Sequence, residues 1–266
     1  MIHATAIVHP QARLDVSVSV GPFAVIDANV TVGARCVIGP HVHLTGHTTI
    51  GTDNVFHTGA VIGDAPQDLK YHGEPTRLVI GDHNVFREHA TVHRSNNLAD
   101  ETVIGAHNFL MANSHVGHDV KVGNHTVICN GVAVAGHAIV SDRAFLSANS
   151  LVHQFVRVGT LTLMQGGAAI SKDLPPFTIA RGGNGICGLN IIGLRRAGFS
   201  AAERLELKQV YRKLFRSGIN LRAAISAARQ EFSGPHAQTL LEFVATSKRG
   251  VCTDAGATAG SAPEDE

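Results

Sequence analysis

Tryptophan is absent from the 266 residues, tyrosine occurs only twice, and charged residues make up just 16%. With 44% hydrophobic residues, this balance excludes wholesale disorder, which needs low hydrophobicity and high net charge. Lys plus Arg number 22 against 21 for Asp plus Glu, so the basic excess of a nucleic-acid-coating protein is missing. No apolar run approaches the roughly 18 residues of a membrane span, so no transmembrane helix is expected. The start, MIHATAIVHP, has no basic segment leading into an apolar run, and no secretory signal is expected. The four cysteines, Cys36, Cys129, Cys187 and Cys252, are far apart and form no CxxC pair. Neither a disulfide framework nor a zinc knuckle is expected, and a reducing, cytoplasmic setting fits. What the chain has in abundance is glycine (28) and histidine (17).

A repeat accounts for the glycine. Aliphatic or aromatic anchors stand six apart from Ile2 through Val8, Leu14, Val20 and onward to Ile62. The series resumes in the same phase at Ile80 and runs through Ile104, Leu110 and Val116 to Met164 and Ile170. A small residue often follows the anchor, and another small or β-branched one often lies four residues on. A period of six fits neither a helix nor an alternating strand in a hairpin. It fits short strands separated by turns, each pointing one side chain inward, which is the signature of a parallel β-helix. Three hexads close a triangular coil of 18 residues, stacked on the next at about 4.8 Å. The period breaks at 64–78, DAPQDLKYHGEPTRL, a Pro- and Gly-containing segment expected to be extruded as a functional loop. A second polar stretch, 95–101, reads as a smaller loop with Leu98 a chance hit.

After Ile170 the pattern stops. The expected organisation is a β-helix over 1–180, a small helical domain over 186–250, and a disordered acidic tail over 251–266. Ser200 to Glu203 reads as a capping box opening a helix with Leu207, Val210, Tyr211 and Leu214 on one face. Asn220 is expected to cap a second helix, and a third spans about 235 to 248.

Histidine clusters where the coil arithmetic brings it. Residues 18 apart are vertical neighbours, so His118, Gly136 and Gln154 share one site on successive coils, and Asp119 lies beneath His137. His115 and His153 adjoin them. An imidazole takes a proton near neutral pH, and an adjacent carboxylate orients it. A glycine N–H on the next coil can stabilise an oxyanion. Together these point to acyl transfer onto a hydroxyl or amine. The residues alone leave open surface histidines on a His-rich prism, and a His-held zinc.

Four segments carry a resemblance. They are His115–Asp119 (HVGHD), 67–77 (QDLKYHGEPTR), 152–155 (VHQF) and 190–196 (NIIGLRR). They resemble motifs of the UDP-N-acetylglucosamine O-acyltransferases, hexapeptide-repeat enzymes that open lipid A synthesis, over roughly residues 1 to 250. The resemblance implies a left-handed β-helix and a homotrimer. The implied reaction moves a 3-hydroxyacyl chain from acyl carrier protein to the 3-position of UDP-N-acetylglucosamine or a related UDP-aminosugar, with no metal and no bound organic cofactor. It implies His118 as general base, Asp119 as its support and the Gly136 N–H as oxyanion donor. His115, His137 and His153 would line the site. Asp68, Lys70 and His93 would meet the sugar nucleotide, and Gln154, Asn190 and Arg196 would help hold its UDP part. Gly166 would leave the acyl groove open to longer chains, with Met164 as the inward anchor beside it. Taken singly, Lys70 also reads as a solvated lysine, Asn190 as a helix cap, Arg196 as a helix-face charge and Gly166 as a coil corner.

The chain departs from the family pattern at Ile192, where glutamate is usual, at Ala197, where arginine is usual, and in a shorter linker near 182–187. The hexads begin at Ile2, so the extra N-terminal domain of a related N-acyltransferase is not expected. Lys208, Arg212, Lys213 and Arg216 form a basic helix face, either solvated or a docking surface for the acidic carrier protein. An acyl-CoA-dependent transferase and a non-catalytic β-helix scaffold are the other readings. His118 together with the Asp68–Lys70 loop argues against the scaffold.

Overall fold

The computed structural model describes residues 1–254, and the six-residue period becomes a three-sided parallel β-helix. Two-residue strands alternate with turns, and each pairs in parallel with a strand one coil on, so three flat sheets close a prism. Ile7 lies beside Val25, Val25 beside His43 and His115 beside Ala133, an offset of 18 each time. Each such strand can point one side chain inward, and the anchors from Val20 to Ile170 are buried apart from Leu98. Ile2, Val8 and Leu14 are not, because they lie at the open end of the stack. At one run of such corners the residue four beyond the anchor is polar and bonds to the same position on the neighbouring coil. The N–H groups of Asn84, Asn108 and Thr126 donate to the side-chain oxygens of Asn54, Asn84 and Asn108 at 2.9, 2.9 and 2.8 Å.

Both interruptions leave the prism at one edge. Val61 pairs with Thr91, 30 residues on, and Thr91 with His115, 24 on, so the insertions add 12 and 6 residues to an 18-residue coil. The first runs between strands Val61–Asp64 and Arg77–Ile80, so the extruded loop is shorter at both ends than the sequence break suggested. The second lies between Thr91–His93 and Glu101–Ile104, and its Leu98 is exposed. That same edge, one coil further, carries His118.

The C-terminal segment caps the prism. Strands Thr178–Arg181 and Gly185–Leu189 form an antiparallel hairpin leading into α1 (Ile191–Arg196), α2 (Ala201–Phe215), α3 (Leu221–Glu231) and α4 (Pro235–Ala245). The capping box at Ser200 and Glu203 forms, the expected face of α2 is buried, and Asn220 caps α3. The last helix stops at Ala245, short of the expected Lys248. Arg157 ties the helices down, with an ion pair to Asp173 (2.8 Å) and its guanidinium 4.3 Å from the Phe243 ring centroid.

The tail is corrected at its start. Val251, Cys252 and Asp254 are buried, and Thr253–Asp254 pairs with Gly185–Leu189. Asp254 accepts hydrogen bonds from Tyr211 and Arg216, both at 2.6 Å. A two-residue strand held by one carboxylate has no apolar period for a sequence to display. The rest of the expected tail, 255–266, lies outside the described residues. Among the described residues no helix is long and apolar enough to cross a membrane.

Candidate active site

The site begins at a coil corner. Val116 points inward, and Gly117, His118 and Asp119 turn the edge. Asp119 adopts a left-handed φ of 59°, as do His137 (61°) and Phe155 (64°) one and two coils on. This bend turns the Asp119 carboxylate back beneath His118, where Oδ2 lies 2.7 Å from Nδ1. A carboxylate only accepts, so Nδ1 carries a proton, and in the neutral ring Nε2 keeps its lone pair. Nε2 faces the next coil at Gly136. A Cβ on Gly136 would lie 2.7 Å from Nε2, so only glycine gives the ring its place. Among the described residues the Gly136 N–H has no acceptor. The Nε2 of His118 and the Gly136 N–H thus share one rim.

Asp119 is 5% exposed. Burial works to raise its carboxyl, but hydrogen bonds from His118, Ser95 and the Asn96 N–H outweigh it and hold the carboxyl below its ordinary value. His137 lies edge-on to His118, with centroids 5.1 Å apart, and stacks on Phe155 at 4.5 Å. His118, Asp119 and His137 offer ligand atoms within 4.8 Å of one another, a set open in principle to a metal ion. The Asp119 oxygens, however, are already taken by three donors.

A cleft of about 700 Å³ opens over this corner and follows the coils toward the helical end, lined among others by His93, His115, His118, Gly136, His153 and Gln154. His93 is buried edge-on against His115 at 4.8 Å. Its Nδ1 has no partner among the described residues. Burial, then the neighbouring His115, depress its pKa to about 4. Burial also lowers His115, whose Nδ1 lies 2.8 Å from the Thr91 hydroxyl. Asp68 comes in from the extruded loop. The Lys70 N–H (3.0 Å) and the Asn96 side chain (2.6 Å) donate to it and hold it below the ordinary carboxylate range. The Lys70 side chain is exposed.

Three expected residues are elsewhere. Gly166 is exposed on the other edge of the sheet that floors the cleft, and an added Cβ would meet only the Ala148 carbonyl at 3.4 Å. Asn190 and Arg196 line a second cleft of about 900 Å³, with Phe145, Leu163 and Ile192, on a different face of the prism. Asn190 is the N-cap of α1. Its Oδ1 accepts from the Gly193 N–H and its Nδ2 donates to the Leu161 carbonyl, both at 3.0 Å. The basic face of α2 is partly spent, since Lys213 pairs with Glu231 and Arg216 with Asp254, leaving Lys208 and Arg212 exposed. Sequence reasoning missed Ser95 and Asn96. The available signal was that the second interruption falls at the same coil edge as the first, one coil before His118.

Residues 173–252 match the family described as Udp N-acetylglucosamine O-acyltransferase, Domain 2, and residues 101–136 match the bacterial transferase hexapeptide repeats. The acyl-[acyl-carrier-protein]–UDP-N-acetylglucosamine O-acyltransferase of Thermodesulfovibrio yellowstonii is 43% identical over 254 residues, covering 94% of this chain and 98% of its own. That of Halorhodospira halophila is 46% identical over 253 residues at the same coverage. The crystal structure of the Francisella novicida UDP-N-acetylglucosamine acyltransferase superposes with a TM-score of 0.92 at 34% identity, covering all of both chains. The fold is the left-handed parallel β-helix with a small helical C-terminal domain.

Proposed function

The chain belongs to the acyl-[acyl-carrier-protein]–UDP-N-acetylglucosamine O-acyltransferases, and from that premise we propose that His118, Asp119 and Gly136 carry its transfer of a 3-hydroxyacyl chain to the 3-hydroxyl of UDP-N-acetylglucosamine. The observation that carries this reading is the His118 ring, held through Nδ1 by Asp119 with Nε2 turned to the Gly136 amide. As the sugar oxygen attacks the thioester carbon, His118 Nε2 takes its proton. The carbonyl becomes an oxyanion, and the Gly136 N–H donates to it. Asp119 stabilises the imidazolium. The intermediate then collapses, the carbon–sulfur bond breaks, and the departing thiolate takes the proton from His118. The products are an O-acyl sugar nucleotide and the free carrier thiol.

The donor is acyl carrier protein, and Lys208 and Arg212 on α2 are free to meet its acidic surface. A prism face offers little concavity, and ligand sites favour clefts. The His118 cleft and the Asn190–Arg196 cleft lie on different faces. A second copy bringing the latter against the former completes the site, and three copies around one axis close the ring. In that arrangement Gly166 borders the acyl groove, and Asp68, Lys70, Gln154 and Arg196 surround the sugar nucleotide. Exposed Phe145 and Ile192 beside the one cleft and Leu151 in the other supply apolar contacts for such an assembly.

Incubating the protein with UDP-N-acetylglucosamine and hydroxyacyl carrier protein tests the reading. The nucleotide product should gain the mass of one hydroxyacyl group, and folded His118→Ala should lose about 10²–10⁴-fold in kcat. Near-wild-type turnover by His118→Ala would refute the assigned base.

A further inference from the structure

Asp119 has oxygens on both sides to satisfy, and His118 takes part of only one. The other partners come from the six-residue insertion that leaves the prism one coil earlier. The Ser95 side chain is fully buried, and its hydroxyl has two acceptors in reach, Asp119 Oδ1 and the Asn97 carbonyl (2.9 Å), of which the charged carboxylate is the stronger and takes the proton. The Ser95 oxygen in turn accepts from the Asn97 N–H at 2.8 Å, which fixes the hydroxyl's position. Asn96 reaches both ways. Its backbone N–H donates to Asp119 Oδ2 at 3.2 Å, and its side-chain Nδ2 donates to Asp68 Oδ2 at 2.6 Å. The loop bearing Asp68 is pinned to the same segment, because the Arg94 guanidinium donates to the Tyr71 hydroxyl at 2.7 Å and to the Gly63 carbonyl at 2.8 Å.

Resting on the function proposed above, we propose that Ser95 and Asn96 are positioning residues, Ser95 locking the Asp119 carboxylate behind the His118 base and Asn96 bracing the extruded Asp68 loop against the same carboxylate. The two tasks are separable. Asp119 is the group Ser95 touches, so Ser95 governs proton transfer. Asp68 is the group the Asn96 side chain touches, so that side chain governs acceptor binding, while its backbone N–H stays in place whatever the side chain. Among the described residues no other residue hydrogen-bonds to both carboxylates.

Three replacements read this out. In Ser95→Ala the buried Oδ1 loses its donor. A hydrogen bond to a charged group is worth enough for kcat to fall on the order of tenfold or more, with KM for the sugar nucleotide little changed. The less well-solvated Asp119 carboxylate holds the His118 proton more firmly, so the acid limb of kcat/KM moves to higher pH. His137, 3.8 Å from Asp119 Oδ2, and at longer range Asp100, whose charge is held by Lys121, also act on that carboxylate, and His137→Gln and Asp100→Asn serve as the controls for their shares. In Asn96→Ala, KM for the sugar nucleotide rises and the acid limb stays. Asn96→Asp sets two carboxylates face to face and raises KM further, with partial recovery as the pH is lowered. A merely structural role would lower melting temperature or active fraction without splitting kcat from KM. Folded variants with wild-type kcat, KM and pH profile overturn the proposal. So do variants that change only the melting temperature. The His118 imidazole titration, followed by NMR in wild type and Ser95→Ala, needs no turnover. An upward move supports the lock and an unchanged titration refutes it, even if the wild type acylates no sugar nucleotide and the functional reading itself fails.

Discussion

Replacing Gly136 with alanine perturbs the candidate site by one methyl group, and the structure says where that group goes. The new Cβ would sit 2.7 Å from His118 Nε2 and 2.8 Å from Cε1. Comfortable contact between such atoms needs about 3.5 Å, so the ring must retreat by roughly 0.7 Å. The coil cannot yield instead, because the neighbouring amides are fixed: the His137 N–H donates to the His118 carbonyl (3.0 Å) and the Phe155 N–H to the Gly136 carbonyl (3.1 Å). The ring can tilt only by stretching its 2.7 Å bond to Asp119 or swinging over the cleft. A misplacement near 1 Å at a reacting centre costs about 10²-fold, and the methyl also crowds the oxyanion position. Gly136→Ala should therefore lose on the order of 10²-fold in kcat while melting within a few degrees of wild type, since His118 is only partly buried and has room to move. Gly117→Ala is the contrasting control. Its Cβ would meet the Gly136 backbone nitrogen at 2.9 Å, so backbone must shift and stability should suffer as well as rate. The assay is turnover of hydroxyacyl carrier protein by folded, size-checked enzyme. Turnover by Gly136→Ala within threefold of wild type would refute this geometry.

Three further outcomes follow from other parts of the molecule. His93 is depressed to about 4 from 6.5 by burial and by His115. Folding thus favours its neutral form, and stability is full above about pH 6.5 and lost as the pH falls toward 4, by roughly 3 kcal/mol. In urea titrations across that window His93→Gln should flatten the acid loss, and an unchanged slope would count against the assignment. Asp254→Ala should destabilise by about 1–3 kcal/mol, because it strips a partner from the buried Tyr211 hydroxyl; an unshifted urea midpoint would show that this contact does not hold the C-terminal strand. Gly166→Met should shift donor preference toward shorter hydroxyacyl chains. Each buried methylene is worth about 0.8 kcal/mol, so filling a two-carbon space should change relative kcat/KM roughly tenfold. Unaltered selectivity in the folded variant removes Gly166 from the acyl groove.

The prism follows from the repeat alone. One aliphatic residue every six fixes which side chains point inward, and constant coil length makes register a matter of counting, so His118, Gly136 and Gln154 stack as the arithmetic requires. Asp119 beneath His137, the face of α2 and its capping box were legible for the same reason, since each depends on residues at fixed local spacing. The tertiary structure alone decided what the irregular segments do. Two insertions of different length emerge at one edge, and their side chains reach Asp119 and Asp68 across 24 and 28 residues. No period encodes such contacts. Asn190 shows the limit from the other side, since a residue type suited both to binding and to capping is committed only when Gly193 and Leu161 arrive beside it. Asp254, in a segment whose composition suggests disorder, is ordered by a tyrosine and an arginine about 40 residues away. A repeat propagates its own geometry because every coil meets an identical neighbour. An insertion, a cap and a chain end have no such neighbour, and only the folded molecule supplies their partners.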